Sequence, residues 1–214
     1  MTEMRKSMSD NRESSCRVRK MTIQEMEKIY QQQLVNDFPP NETKPFSSMK
    51  AMWEKGIYQG YVLEENNRLC SYWYTLYIEK ENIRLLDYFA VVKAYRGKGY
   101  GSFVMKYLKQ QEDRCGEVIF IESEDPQQSR TQEERAVREK RLQFYQNNGA
   151  QDTAFRTGVY QADYVLLALG EIVDKGDTED WIRRVYQEFY TGAILPQNGD
   201  DMETAGFYMK QHFI

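Results

Sequence analysis

LLDYFAVVKAYRGKGYGS, residues 85–102, is the stretch of this chain that decides its fold. Its first half is a dense apolar run, which is typical of a strand covered on both faces. Its second half is basic and rich in glycine, and an amphipathic segment from Ser102 to Gln111 follows at once. The order predicts a buried strand, a tight loop and the N-terminus of a helix.

The loop has the properties of an anion site. Gly97, Gly99 and Gly101 let the backbone approach a ligand closely and adopt dihedral angles that other residues avoid. The first N–H groups of the helix have no partner within the helix, and the positive end of the helix dipole lies behind them. Arg96 and Lys98 add full positive charge, so a di- or polyphosphate is the predicted guest.

Two common phosphate fingerprints are absent from the loop. A dinucleotide-binding loop would have glycine where Ser102 stands, and the lysine and hydroxyl residue that end a nucleotide-triphosphate loop are missing. The run Arg96-Gly97-Lys98-Gly99-Tyr100-Gly101 instead resembles motif A of the GNAT superfamily of N-acetyltransferases.

That resemblance implies a site for acetyl-CoA. In the family, the loop binds the pyrophosphate and the edge of the preceding strand pairs with the pantetheine arm. The Val91 N–H is then expected to meet the acetyl carbonyl. The residues implied in coenzyme binding are Phe89, Ala90, Val91, Arg96, Gly97, Lys98, Gly99, Tyr100, Gly101 and Ser102.

A second run, RLQFYQNNGA at residues 141–150, resembles a signature on the helix after the fifth strand of many bacterial GNAT enzymes. The resemblance implies that Tyr145 protonates the departing thiolate of coenzyme A. A phenol with a pKa near 10 is neutral at pH 7 and can donate a proton as the thiolate forms. The alternative is that Phe144 and Tyr145 are core aromatics at the end of an amphipathic helix.

The reaction also needs a base, because an amine is mostly ammonium at pH 7. Asp87 interrupts an apolar strand, and period-two alternation predicts that it shares a face with Leu85, Phe89 and Val91. A pairing of Asp87 with Arg84 is the structural alternative. Two rival bases, Glu122 and Glu124, follow the apolar run Val118 to Ile121, and a surface loop is the alternative for both.

Composition is compatible with a cytoplasmic enzyme. Three cysteines without metal-ligand spacing, in a chain of 214 residues, indicate thiols in a reducing compartment. A single histidine, His212, predicts no metal site, and a net charge of −4 argues against general nucleic-acid binding. No apolar run approaches the ~18–20 residues of a membrane span, and we expect neither a signal peptide nor a membrane partner.

The elements predict an α/β (α+β) GNAT fold with a mixed, mostly antiparallel sheet flanked by helices. We expect residues 1–16 to be disordered, residues 17–170 to form the acetyltransferase domain, and residues 171–214 to be an extension with a helix at 178–190. The run Tyr72-Trp73-Tyr74, with Tyr77, is expected in the core of a hairpin, where one or two of these rings could shape the acceptor pocket. The tail from Thr191 to Ile214 shows no clear periodicity.

The predicted function is acetyl transfer from acetyl-CoA to a primary amine by direct attack in a ternary complex, with Tyr145 as acid and Asp87 or Glu122 as base. A homodimer is possible. The alternative is a GNAT-fold sensor of acetyl-CoA, or a partner-assembly module, without turnover. The sequence leaves the acceptor open between a small amine and a protein.

Overall fold

The structure is a computed structural model of the chain. It describes residues 15–40, 42–115, 117–159, 161–170, 178–194, 203 and 208–211. Most of the segment expected to be disordered, as well as His212, lies outside these ranges. No helix in the described ranges has both the length and the apolar character to cross a membrane.

The described strands form one mixed sheet, in the order β1-β2-β3-β4-β5-β7-β6-β8. Neighbouring strands are antiparallel except β4 and β5, which run parallel. This mixed, mostly antiparallel architecture confirms the predicted fold class. The strands are β1 (Cys16–Lys20), β2 (Tyr58–Glu65), β3 (Arg68–Ile78), β4 (Ile83–Val91), β5 (Val118–Glu124), β6 (Gln151–Val159), β7 (Ala162–Leu169) and β8 (Tyr208–Gln211).

Helices cover both faces of the sheet. The helices are α1 (Ile23–Ile29), α2 (Phe46–Glu54), α3 (Tyr100–Cys115), α4 (Gln132–Asn147) and α5 (Thr178–Gln187). A π-helical segment, Tyr30–Leu34, and a last turn, Val35–Asp37, prolong α1, and a second π-helical segment, Glu188–Ile194, prolongs α5. Side chains of α1, α2 and α5 pack into one core, whereas α3 and α4 pack into a second core on the opposite face.

Local sequence explains the start of α1 and both ends of α4. Thr22 caps α1 in a complete capping box with Glu25. Thr131 caps α4 by accepting from the Glu134 N–H at 3.1 Å, and the Glu134 carboxylate accepts from the Arg130 N–H instead of closing a capping box. Gly149, with a φ of +96°, follows α4 in the left-handed region that ends many helices.

The gap between β4 and β5 is the feature that positions the site. These strands pair only from Ile83 with Val118 to Leu86 with Ile121. Both strands continue past the last pair, β4 to Val91 and β5 to Glu124. Beyond Leu86 and Ile121 the two strands therefore separate and leave an open slot, which connects the two faces of the sheet.

A β-bulge in β4 corrects the predicted position of Asp87. Opposite β3, Tyr74 pairs with Tyr88 and Thr75 pairs with Leu86, so Asp87 is the extra residue. The bulge breaks the alternation along the strand. Asp87 consequently faces the side of α1 and α2, while Phe89 and Val91 pack on the side of α3 and α4.

The C-terminal elements also differ from the sequence expectation. The predicted helix at 178–190 is present, but its helical path continues to Ile194. The aperiodic tail contributes β8, which pairs with β6 at the edge of the sheet. A strand of four residues is too short to show a periodicity that would predict it from the sequence.

Candidate active site

A cavity of about 800 Å³ lies at the slot between β4 and β5. It extends from the glycine-rich loop, past the ends of the two strands, to the carboxylates on the side of α2 and α5. All three predicted catalytic residues line it, and so do all the predicted coenzyme-binding residues except Lys98. These lining residues are Phe89, Ala90, Val91, Arg96, Gly97, Gly99, Tyr100, Gly101, Ser102, Asp87, Glu122 and Tyr145.

The loop has the backbone geometry that its glycines predict. Gly97 and Gly99 have φ angles of +72° and +89°, in the region that favours glycine. The helix α3 begins at Tyr100, two residues before the predicted start, and Phe103 donates its N–H to the Gly99 carbonyl at 3.0 Å. The preceding N–H groups of the first turn have no acceptor within the helix. They are donors for an anion at the mouth of the cavity.

The two basic side chains of the loop have partners within the chain. The Arg96 guanidinium donates to the Val91 carbonyl at 2.9 Å and to the Asp37 carboxylate at 2.7 Å. The Lys98 ammonium donates to the Ala94 carbonyl at 2.9 Å and lies over the Tyr95 ring. Phosphate binding by Arg96 and Lys98 therefore stays a prediction.

The backbone of Val91 faces the slot. Val92 donates its N–H to the Cys70 carbonyl of β3 at 3.0 Å. Because successive N–H groups of a strand point to opposite sides, the N–H of Val91 points away from β3 and toward the unpaired part of β5. The slot thus has a backbone donor at the position that the sequence analysis predicts.

Tyr145 enters the cavity from α4. The side chain is 7% exposed and packs edge-on against the ring of Phe144. Burial raises the pKa of Tyr145 to about 12, with the Arg141 guanidinium opposing the shift. The phenol is accordingly neutral at pH 7 and is able to donate a hydrogen bond into the cavity.

Asp87 forms a buried ion pair on the opposite side of the slot. Its carboxylate accepts from the Lys44 ammonium at 2.6 Å and from the Tyr58 hydroxyl at 2.5 Å. Burial alone lowers the pKa of Lys44, but the Asp87 carboxylate outweighs it and raises that pKa above its ordinary value. Arg84, the partner suggested by the sequence, instead pairs with Glu117 at 2.8 Å.

Glu122 lies within β5, so the alternative of a surface loop is wrong for this residue. Tyr190 donates to its two carboxylate oxygens at 2.8 and 2.9 Å, and the Tyr186 hydroxyl also donates to it. Burial raises the pKa of Glu122 to about 7, and the hydrogen bond from Tyr190 opposes that shift. A carboxyl group with this pKa exchanges a proton readily at neutral pH.

Glu124 has a different environment. It also lies in β5, but its carboxylate is paired with the Arg138 and Arg141 guanidinium groups of α4. These two cations neutralise it and hold it at the edge of the cavity. Of the two rivals on β5, only Glu122 has a carboxyl group without a cation in direct contact among the described residues.

The sequence analysis missed several residues that line the cavity. Lys44 lies in a proline-containing segment before α2, and Tyr190 lies on the C-terminal extension. Neither residue has a local signal, because only the packing of distant segments brings them to the slot. Conversely, Tyr72, Trp73, Tyr74 and Tyr77 lie outside the cavity lining, and the first three are completely buried in the core.

Part of the chain matches the model of a known protein family. Residues 56–149 match the family model of the acetyltransferase (GNAT) domain, a range that includes the glycine-rich loop, β4, β5 and α4. The recognition made from the two motifs is thereby confirmed. Among curated protein sequences, none matches the chain.

Solved structures share the fold. A protein from Bacteroides thetaiotaomicron assigned to the GNAT family superposes with a TM-score of 0.62 at 18% identity, covering 81% of this chain and 98% of the other. The ribosomal-protein-S18-alanine N-acetyltransferase from Escherichia coli gives 0.52 at 16% identity, covering 72% and 93%. The spermidine N-acetyltransferase from Vibrio cholerae, in complex with CoA and spermine, gives 0.53 at 10% identity, covering 73% and 96%.

Proposed function

We propose that this chain, which contains a GNAT acetyltransferase domain, transfers the acetyl group of acetyl-CoA to a primary amine by direct attack in a ternary complex. The observation that carries the proposal is the single cavity that joins the glycine-rich loop to buried carboxylates through the slot between β4 and β5. A thioester in the slot is accessible to an amine from the opposite face. This arrangement supports a ternary complex, in which both substrates are bound before reaction.

The coenzyme binds at the loop end of the cavity. The N–H groups from Gly97 to Ser102 donate to the pyrophosphate, aided by the positive end of the α3 dipole. The pantetheine arm lies along Phe89, Ala90 and Val91, where β4 has no partner strand. The same fold holds CoA in the Vibrio cholerae enzyme, which supports this placement.

The thioester is activated by the Val91 N–H. Negative charge develops on the acetyl oxygen as the tetrahedral intermediate forms, and a preorganised backbone donor stabilises it. Such a donor contributes about 10²–10³ in rate. The Arg96 bond to the Val91 carbonyl fixes the peptide plane on the other side of this residue.

Glu122 is the base in this proposal, and Asp87 is a structural partner of Lys44. A general base is most effective with a pKa near the working pH, and Glu122 meets that condition at about 7. The Asp87 carboxylate already neutralises a buried ammonium, so its protonation would leave the charge of Lys44 uncompensated. Glu122 removes the proton of the incoming ammonium, directly or through water.

Tyr145 assists departure of the coenzyme A thiolate. Its pKa of about 12 lies above that of a thiol, near 8.5, so its main effect is a hydrogen bond that stabilises the thiolate as the C–S bond breaks. The amine nitrogen loses two protons in all as its bond to the acetyl carbon replaces the C–S bond. Glu122 takes the first from the ammonium, and the departing thiolate takes up the second as the amide forms.

A panel of amines tests the proposal. We expect acetyl-CoA to bind in calorimetry, and release of free coenzyme A thiol to require one class of amine in the panel, which should include small polyamines, amino acids and peptides with free N-termini or lysines. Mass spectrometry of the acceptor must show one added acetyl group. Tight binding of acetyl-CoA without amine-dependent release of the thiol would overturn the proposed enzyme activity and favour a role as a sensor of acetyl-CoA.

A further inference from the structure

The C-terminal extension supplies two hydroxyl groups to the half-buried Glu122 carboxylate on β5. Tyr186 and Tyr190 lie one turn apart and both donate to Glu122, while the Thr157 hydroxyl lies 3.1 Å from that of Tyr186. The two tyrosines are 0% and 3% exposed. Both belong to a segment outside the range that matches the GNAT domain.

The same segment forms one wall of the cavity. Tyr190 and Ile194 line it opposite the glycine-rich loop, near Lys44 and Asp87. Both residues lie on the π-helical segment Glu188–Ile194, and π-helical turns occur frequently at functional sites. Burial of Phe189 in the core beneath them fixes the wall in place.

From these contacts we infer that residues 178–194 complete the active site: Tyr186 and Tyr190 are positioning residues that orient the Glu122 carboxylate, and Tyr190 with Ile194 encloses the acceptor end of the cavity. The inference rests on the proposed function, since it assigns a role to the residues around the proposed base. It gives the extension a part in the reaction itself.

The groups around Glu122 determine what loss of a hydroxyl does. Lys44 favours the ionised form of Glu122 from the side of α2, whereas Asp87 on β4 disfavours it. Tyr164 on β7 also lies within electrostatic reach. Hydroxyl donors stabilise the carboxylate more than the neutral acid, so removing one raises the pKa of Glu122 and leaves the carboxyl group less ordered.

The test uses substitutions that keep the rings. We expect Tyr190→Phe to shift the titration of Glu122 upward by on the order of one pH unit, and the double variant with Tyr186→Phe to shift it further. The titration is followed by carbon-13 NMR of labelled glutamate carboxyl groups in the ligand-free protein, with the Glu122 signal assigned from Glu122→Gln. Tyr208→Phe is the matched control, because that C-terminal tyrosine donates to Asp163 and lies outside the cavity lining.

Kinetics separate this inference from the proposed function. In Tyr190→Phe we expect the rise of kcat on the acid side of its pH profile to move to higher pH. The KM for the accepted amine should increase, and the KM for acetyl-CoA should not change. An unaltered Glu122 titration in both single variants and the double variant overturns the inference, even where acetyl transfer is intact. A shifted titration in a chain that transfers no acetyl group upholds the orientation of Glu122 by the extension and refutes the proposed function instead.

Discussion

At the residue scale, the carboxyl groups of Asp87 and Glu122 line the same slot but differ in the charge of the groups around them. The ammonium of Lys44 compensates the charge of Asp87, whereas Glu122 contacts hydroxyl groups that carry no charge. The ion pair makes Asp87 part of the fixed charge of the site. The desolvated Glu122 is the group whose charge changes near neutral pH.

Replacing Asp87 tests the buried ion pair. Asp87→Asn leaves the Lys44 ammonium, which is 13% exposed, without its counter-charge, and we expect a loss of about 3–5 kcal/mol in the free energy of unfolding. Thermal and denaturant unfolding measure it. Asp87→Asn combined with Lys44→Met should regain most of the loss, and a single variant as stable as the wild type would contradict the pairing.

The titration of Glu122 predicts opposite effects of pH on stability and on turnover. Its folded-state pKa of about 7 exceeds the ordinary 4.5, so folding disfavours the ionised form. The contribution of the protonated Glu122 to the free energy of unfolding is fully present below pH 4.5 and is lost as the pH rises through 7. For a pKa shift of this size, that contribution is about 3 kcal/mol. Turnover rises over the same interval, because the base must be ionised.

Unfolding of the wild type and of Glu122→Gln at a series of pH values isolates this effect, since all other groups titrate in both proteins. We expect the stability of the wild type, relative to the variant, to fall between pH 4.5 and 7. A constant difference would mean that Glu122 titrates normally and is a poor candidate for the base.

Tyr145→Phe tests the acid while keeping the ring. General acid catalysis contributes about 10²–10⁴ in rate, and the elevated pKa of Tyr145 places our expectation for the loss of kcat at the lower end of that range. Binding of acetyl-CoA, measured by calorimetry, should not change. Tyr107→Phe is the control, because Tyr107 packs in the same core but does not line the cavity; full activity in Tyr145→Phe would make this tyrosine structural.

At the scale of elements, the strand β4, the glycine-rich loop and the helix α3 act as one unit. The loop turns the chain through two residues with positive φ, Gly97 and Gly99, and delivers the N-terminus of α3 to the mouth of the cavity. Gly101, in the first turn, approaches Phe144 so closely that an added Cβ would lie 3.1 Å from the ring. The unit consequently needs glycine for two separate reasons, backbone conformation and close packing.

Gly99→Ala is expected to weaken acetyl-CoA binding. A side chain at a φ of +89° strains the loop by on the order of 1–3 kcal/mol and displaces the N–H groups that meet the pyrophosphate. Calorimetric titration with acetyl-CoA measures the effect. Gly56→Ala is the matched control, since Gly56 also has a positive φ, of +75°, but lies outside the cavity lining; equal affinities in the two variants would refute the assignment of the loop.

The sequence predicts the elements that carry local signals. The strand, the loop with positive φ at Gly97 and Gly99, and the helix after it follow from short-range chemistry. The bulge at Asp87 does not, because it depends on how β4 is registered against β3. Lys44, Tyr186 and Tyr190 were missed for a related reason: tertiary packing alone places them beside the slot.

At the scale of the whole molecule, the extension shares the core of the domain. Ile182, Tyr186, Phe189, Tyr190 and Ile194 are each at most 3% exposed and pack into the same core as α1 and α2. The strand β8 adds a further edge to the sheet by pairing with β6. This packing implies that the predicted boundary at residue 170 does not separate two independent folding units.

Truncation distinguishes an integral segment from an appendage. Burial of each large apolar side chain stabilises a fold by about 1.5–3 kcal/mol, so losing the five from the extension removes a quantity comparable with the ~5–15 kcal/mol stability of a typical domain. We expect a chain ending at residue 170 to lose cooperative thermal unfolding, as measured by circular dichroism. A chain ending at residue 194 keeps α5 and, of the elements that the structure describes, lacks β8, so it should unfold cooperatively at a lower temperature. If the chain ending at residue 170 instead unfolds cooperatively with a Tm close to that of the full chain, the extension is an appendage. The domain would then be stable with Glu122 lacking the hydrogen bonds from Tyr186 and Tyr190.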